Sequence, residues 1–327
     1  MHGGRLIAAR QAFPEAPAPF LDLSTGINPH PYPLPAFTPA AFTRLPEPEE
    51  VAALEAAAAR AYGVADPAMV VAAPGAEALI QLLPRVLPQP RIAIAGPTYA
   101  GHAAAWRAAG AEVVAADAPA AVLCNPNNPD GRRLPALHLL ESAPRGLLVV
   151  DEAFVDLEPD AAELSLAPHL GRRGTGAVVV LRSFGKCYGL AGLRLGFAVA
   201  APAWAAALRA ALGAWAVSGP AIAAGRAALA DDRWRAAMRA RLAREAAALD
   251  ACLDDAGFAI RGGTVLFRLA EAAGAPVLRH RLGHAGILVR HFADRPRWLR
   301  FGLPGDDAAW ARLCQALGVS VPTDRVG

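Results

Sequence analysis

Short apolar runs alternate with longer stretches of helical periodicity along most of this chain. Runs at Met69–Ala73, Arg91–Ala95, Glu112–Ala115, Ala121–Cys124, Gly146–Val150 and Ala177–Leu181 are four or five residues long and mostly apolar throughout. At that length the pattern predicts strands buried on both faces. Helical patterns separate several of them, notably Ala76–Leu83 and His102–Ala109, and an alanine-rich helix from Glu49 to Tyr62, closed by Gly63, precedes the first. Alternation of this kind predicts βαβ units around a mostly parallel sheet, an α/β fold. The first forty-odd residues run irregularly through Pro29, Pro31, Pro33 and Pro35 and read as an extended arm. Beyond Pro202 the texture changes: long Ala/Arg helices (Ala203–Trp215, Arg233–Ala256) precede strand-like Thr264–Leu269 and Trp298–Phe301. The expected organisation is an arm over residues 1–42, a large α/β domain over 43–202 and a smaller α+β domain over 203–327 that the arm completes.

Composition narrows the picture. With 327 residues, 54% hydrophobic and 19% charged, the chain can bury a sizeable core and is not disordered as a whole. A net charge of +3 gives no reason to expect a nucleic acid or an anionic membrane as partner. The four cysteines are scattered without a CxxC pair, which suits a reducing cytoplasm and offers no metal-ligand spacing. The start lacks the apolar core of a secretory signal, and the weakly charged stretch 210–225 is too short and broken to span a bilayer. One count is more informative. Of 32 basic residues only Lys186 is a lysine, leaving 32 − 1 = 31 arginines. A bias toward GC-rich codons accounts for the arginines but not for the survivor. Arginine stays protonated, whereas a lysine amine can shed its proton and act as a nucleophile.

Candidate chemistry lies beyond the carboxyl ends of the expected strands, where open α/β sheets bind ligands. Met69–Ala73 leads into Pro74-Gly75-Ala76-Glu77 at a helix start whose N–H groups suit a phosphate. Ala121–Cys124 leads into Asn125-Pro126-Asn127-Asn128-Pro129-Asp130-Gly131, and Gly146–Val150 into Asp151-Glu152-Ala153-Phe154. A carboxylate after four apolar residues is costly unless paired, which singles out Asp151. Ala177–Leu181 leads into Arg182-Ser183-Phe184-Gly185-Lys186, with Arg194 eight residues further on. His30, His102, His138, His169, His280, His284 and His291 have no metal-ligand spacing, and most read as surface or packing residues, with His291 beside Arg290 the one set apart.

Taken together and in this order, these motifs resemble the pyridoxal-phosphate-dependent, fold-type I aminotransferase superfamily over most of the chain. The resemblance implies that Lys186 links to the aldehyde of pyridoxal 5′-phosphate and later carries a proton to the substrate carbon. It implies that Asp151 pairs with the pyridinium nitrogen, that Asn128 hydrogen-bonds the ring O3′ and that Tyr99 stacks on the ring. It assigns the cofactor phosphate to backbone N–H groups of Ala76 and Glu77, to Ser183 and to Arg194. In Trp298-Leu299-Arg300-Phe301-Gly302, Arg300 takes the substrate carboxylate.

Finer features are similar to the threonine-phosphate decarboxylases of cobalamin biosynthesis, relatives of the histidinol-phosphate aminotransferases. They are His2-Gly3-Gly4, the segment Asp22 to Pro29, and Phe154 where the aminotransferases usually carry a tyrosine. This implies decarboxylation of a small phosphorylated amino acid, O-phospho-L-threonine, by a cytoplasmic homodimer. The alternatives are transamination, of histidinol phosphate or by a related class I/II aminotransferase, and, further off, a non-catalytic partner in a cobalamin-pathway complex. His2, Gly3, Gly4 and Asn28 then lie near the substrate, and Arg290 is a candidate for its phosphate. Leu45 departs from the pattern, because relatives often place there a tyrosine that reaches the partner's cofactor phosphate.

Overall fold

A computed structural model describes residues 3–171 and 177–322. In chain order the strands are β1 (Leu21–Leu23), β2 (Val70–Ala73), β3 (Arg91–Ala93), β4 (Glu112–Val114), β5 (Ala121–Cys124), β6 (Leu147–Asp151), β7 (Ala177–Ser183), β8 (Gly196–Ala200), β9 (Ala259–Thr264), β10 (Phe267–Glu271), β11 (Ile287–His291) and β12 (Trp298–Gly302). Seven form one sheet in the order β2-β8-β7-β6-β5-β3-β4, parallel except for β8, which runs antiparallel to both neighbours. The six apolar runs all become strands of this sheet. β2, β6, β7 and β8 carry buried residues along nearly their whole length, as unbroken Val, Leu and Ala runs require when helices cover both faces. β8 had no counterpart in the sequence reading, because Gly196 stands in it directly behind the glycine-rich stretch that follows Lys186.

The second sheet has the order β1-β11-β12-β10-β9. β1 comes from the N-terminal arm and pairs in parallel with β11, Leu21 opposite Ile287. The single strand expected at Thr264–Leu269 is instead a hairpin corner, with Thr264 ending β9 and Phe267 opening β10 opposite it. An apolar run is silent about a turn inside it when the turn residues, Val265 and Leu266, are themselves buried. Helices Pro202–Leu212 and Gly219–Ala230 pack on the seven-stranded side, against helices Ala76–Val86 and Pro48–Ala61 respectively. The layer around the large sheet therefore extends past Pro202 to Ala230, and helix Asp232–Asp255 is the one that packs on β9 and β10.

The two sheets meet where the loop after β5 touches β9. Gly131, at φ +69°, lies so close to the Gly263 carbonyl that any Cβ would overlap it, and Gly262 abuts the Asp130 carbonyl in the same way. Burying the Arg133–Glu158 ion pair beside this contact, with Glu158 also accepting from Val265 N–H at 2.9 Å, ties the β5 loop to the β9–β10 corner. Gly131→Ala should cost about 2–3 kcal/mol through the left-handed backbone and the overlap. Chemical denaturation of the variant measures this directly.

Candidate active site

A cavity of about 260 Å³ opens at the carboxyl ends of β5, β6 and β7 and is closed from the other side by the segment after β1 and by Arg300 of β12. Asn128, Asp151, Ser183, Lys186, Tyr99, Arg194 and Arg300 all line it, as do Ala76 and Glu77 at the start of helix Ala76–Val86. Topology brings them together: three parallel neighbours end at the same level, with Cys124 of β5 opposite Asp151 and Asp151 opposite Leu181 of β7. Lys186 sits in the short helix Phe184–Cys187 that follows β7. Its Nζ lies 4.2 Å from the centroid of the Phe154 ring. Phe154 packs edge-on against Phe267, and both rings press on Gly26, where a Cβ would come within 2.9 Å of each.

Asp151 is 5% exposed. Its Oδ2 is 2.9 Å from His102 Nε2, and its Oδ1 accepts from Ala153 N–H at 3.1 Å. Burial pushes the Asp151 carboxyl up, but the His102 hydrogen bond and charge, with Lys186 and the Ala153 N–H, hold it below its usual range. Burial pushes His102 down, yet the Asp151 and Cys124 contacts raise it to about 10. The pair is therefore an imidazolium and a carboxylate at neutral pH. The reading of His102 as a packing or surface residue is corrected here. It shares a helix face with buried Ala105 and Trp106, three and four residues on, and a buried imidazole needs a partner. Alternation along the chain sends Glu152 the opposite way. There it accepts from Leu166 N–H (2.6 Å) and Ser165 Oγ (3.0 Å) and pairs with Arg182 at 3.0 Å, burial raising it to about 7. One acid thus faces the cavity, and its neighbour anchors the strand end from behind.

The rim at helix Ala76–Val86 is a donor-rich cradle. Gly75, at φ +88°, has no side chain to cap the first-turn N–H groups of Ala76 and Glu77. Arg194 adopts a left-handed backbone (φ 55°), and its guanidinium lies over Gly75, where a Cβ would come within 2.6 Å of Nη2. Among the described residues no carboxylate pairs with Arg194; Nη1 donates only to the Ala191 carbonyl at 3.2 Å. The Ser183 hydroxyl faces the same cavity. The Glu77 carboxylate accepts from Tyr99 Oη (2.9 Å) and Gln81 Nε2 (2.8 Å), so its oxygens hold the tyrosine in place.

Arg300 is a further cavity-lining cation without an ion-paired acid among the described residues. It is 7% exposed, donates from Nη1 to Asn128 Oδ1 at 2.5 Å and from Nη2 to the Ser24 carbonyl at 3.1 Å, and leaves Nε without a partner. Burial and then the neighbouring Arg290 push it down to about 10. Arg290 stands opposite Arg300 across β11 and β12, half-buried over the Phe292 ring and outside the residues that line the cavity. Gly3 does line the cavity, with no room for a Cβ against the Ser24 carbonyl, and Gly4 N–H donates to Ser24 Oγ at 2.8 Å. His2 lies outside the described residues. Asn28, expected at the substrate, does not reach the cavity. Its Nδ2 donates to the Cys187 carbonyl, its N–H to the Lys186 carbonyl and its Oδ1 accepts from His30 N–H, each at 2.9 Å, so it fixes the turn that carries Lys186. Ser24, Thr25, Gly26 and Ile27, just before it, are the cavity residues of that segment. Asn125 and Asn127 are likewise consumed in building the β5 loop, which leaves Asn128 alone of the three facing inward.

The donor set fits pyridoxal phosphate: an anionic carboxylate for a ring N–H, an amide for a phenolic oxygen, an amine for an aldehyde, and a cradle of N–H donors with a free guanidinium for a dianionic phosphate. The His102–Asp151 pair also gives stability a pH signature. His102 is raised from 6.5 to about 10, so its contribution is full below about 6.5 and fades as pH climbs toward 10. Replacing it by Asn should flatten denaturation midpoints over that window, by a few kcal/mol on the order of what such a shift carries. NMR titration of the His102 imidazole checks the value itself.

The aminotransferase class I and II family model matches residues 18–119 and 116–317. A threonine-phosphate decarboxylase of a Sinorhizobium species is 44% identical over 97% of both chains, and one of Pseudomonas aeruginosa is 41% identical over 97% of this chain and 96% of its own. In three dimensions, the histidinol-phosphate aminotransferase of Sinorhizobium meliloti, solved with pyridoxal-5′-phosphate, superposes with a TM-score of 0.78 at 22% identity, covering 95% of this chain and 93% of that one. The chain belongs to the aminotransferase class I and II family, in the branch that holds the threonine-phosphate decarboxylases.

Proposed function

We propose that the protein is a pyridoxal-phosphate-dependent decarboxylase that converts O-phospho-L-threonine to (R)-1-amino-2-propanol O-2-phosphate and carbon dioxide. Full-length likeness to two threonine-phosphate decarboxylases supports the reaction. The observation that carries the substrate is Arg300: a buried guanidinium with no ion-paired acid among the described residues, feeling Asp22 at longer range, beside a second arginine across the strand pair. A buried cation of this kind awaits an anion. Two adjacent guanidiniums suit a substrate with both a carboxylate and a phosphate.

Each residue then has a physical task. The bound cofactor supplies a conjugated, electron-withdrawing ring that accepts the electron pair left when the bond from Cα to the carboxylate breaks. Asp151, kept anionic by His102, holds the proton on the ring nitrogen. Ala76 and Glu77 N–H groups, Ser183 and Arg194 hold the phosphate, and Asn128 reaches the ring oxygen while its own Oδ1 is tied to Arg300. Arg300 orients the substrate carboxylate and Arg290 takes the substrate phosphate. Lys186 first holds the cofactor through its amine and then delivers a proton to Cα. Gly3 and Gly4, pinned to Ser24, keep the arm over the substrate side, and His2 is assigned to the substrate on the sequence resemblance alone. The protein works as a homodimer in the cytoplasm. Leu34, Phe42, Leu45 and Trp215, each more than half exposed, supply apolar surface for a second copy, and all four cysteines are free thiols, as in a reducing compartment.

Carboxyl-labelled phosphothreonine should release labelled carbon dioxide with the native enzyme and only background label with Lys186→Arg, which keeps the charge but cannot hold the aldehyde. Conversion of the cofactor to its amine form without gas release would overturn the decarboxylase in favour of a transaminase. Arg300→Met should lower kcat/KM by on the order of 100-fold or more, the cost of stranding a carboxylate. Arg290→Met should act mainly on KM and erode the preference for phosphothreonine over threonine, which steady-state kinetics with both substrates reads out.

A further inference from the structure

We infer that His102, Cys124 and Asp151 form a binding site for a borderline-soft divalent cation, of which Zn²⁺ is the type, behind the cavity wall at Asp151. One donor atom from each, an imidazole nitrogen, a thiol sulfur and a carboxylate oxygen, lie within 4.8 Å of one another. His102 Nε2 is 2.9 Å and Cys124 Sγ 4.0 Å from Asp151 Oδ2. All three side chains are more than nine-tenths buried. They stand on rigid elements: helix Ala100–Ala108 for His102, and the directly paired ends of β5 and β6 for the other two. Three convergent protein ligands, of which Asp151 also lines the cavity, leave one position of a tetrahedral ion for a small ligand on that side. An N, S, O donor set selects Zn²⁺ or Co²⁺ over Mg²⁺ and Ca²⁺, which need more oxygen ligands. Outer contacts are present as well. Thr98 Oγ1, which donates to Asn127 Oδ1 at 2.8 Å, lies 3.4 Å from Cys124 Sγ, and Ala153 N–H holds the far oxygen of Asp151.

The exchange balances in charge. His102 Nε2 and Cys124 Sγ each direct a hydrogen at Asp151 Oδ2, and a divalent cation replaces those two protons, so two positive charges leave as two arrive. A buried site can make this exchange without gaining an unpaired charge. Asp151 engaged by a metal cannot also hold the proton on the cofactor ring. The metal therefore excludes the cofactor, a consequence that rests on the function proposed above, whereas the site itself does not.

Titrating the cofactor-free full-length protein with Co²⁺ tests the site. One equivalent should produce the near-ultraviolet thiolate-to-cobalt charge-transfer band and the intense visible bands of four-coordinate cobalt, and Zn²⁺ should bleach both. C124S should lose the charge-transfer band and bind at least about tenfold more weakly. H280A, which breaks up the exposed His280–His284 pair on helix Ala275–His284, should leave the band unchanged. Absence of the band in the native chain, or its survival in C124S, would overturn the site; if C124S does not fold, the native spectrum decides alone. Zn²⁺-loaded protein should then take up pyridoxal phosphate at least about tenfold more slowly than metal-free protein. Equal uptake overturns the exclusion. A metal-free protein that takes up no cofactor overturns the proposed function and leaves the cobalt band to stand on its own.

Discussion

A carboxylate in a dry interior stays charged only where something compensates it, and Asp151 is compensated by His102. Everything around the cavity is arranged so that this pair can exist. β6 must end at the level of β5 and β7 for Asp151 to face the opening, and Glu152 must turn away and anchor to Arg182, Ser165 and Leu166 for the strand end to stay put. Helix Ala100–Ala108 must bury the face that carries His102. The acid at the cavity is thereby held at the end of a rigid strand, not on a loop, and its charge does not depend on solvent.

Around this fixed charge the other groups divide by what they lack. Arg194 and Arg300 have no ion-paired acid among the described residues, and the first-turn N–H groups of helix Ala76–Val86 have no side-chain cap. Acidic side chains elsewhere are mostly paired: Glu158 with Arg133, Asp156 with Arg182, Glu55 with Arg209. Unpaired donors gathered at one cavity describe an anion-binding site in two parts, one at the helix start and one at β12. Asn128 joins the parts, since its carbonyl oxygen accepts from Arg300 while its loop borders the ring side. The same compactness draws Cys124 within reach of the His102–Asp151 pair, so a site built for an organic cofactor also has the donors for a metal.

The chain itself determined a good deal. Six apolar runs of four or five residues specified six of the seven strands of the large sheet; β2, β6 and β7 are buried nearly throughout, as such runs predict, whereas β3, β4 and β5 are only partly buried. The lone lysine after β7 and the carboxylate after β6 specified where the chemistry sits, because neither residue is tolerated in such surroundings without a partner. Turns and partners were less legible. The corner at Val265–Leu266 is apolar and so looked like strand, and β8 was masked by the glycine that opens it. Asn28 and Ser24 lie four residues apart in one motif, and nothing local says that the first supports the lysine turn while the second borders the cavity. His102 looked like any histidine in an alanine helix. Which of these residues meet was decided by tertiary structure alone, because hydrogen bonds such as His102–Asp151, Arg300–Asn128 and Asn28–Cys187 join residues 49, 172 and 159 positions apart, a distance over which sequence pattern carries no information about contact.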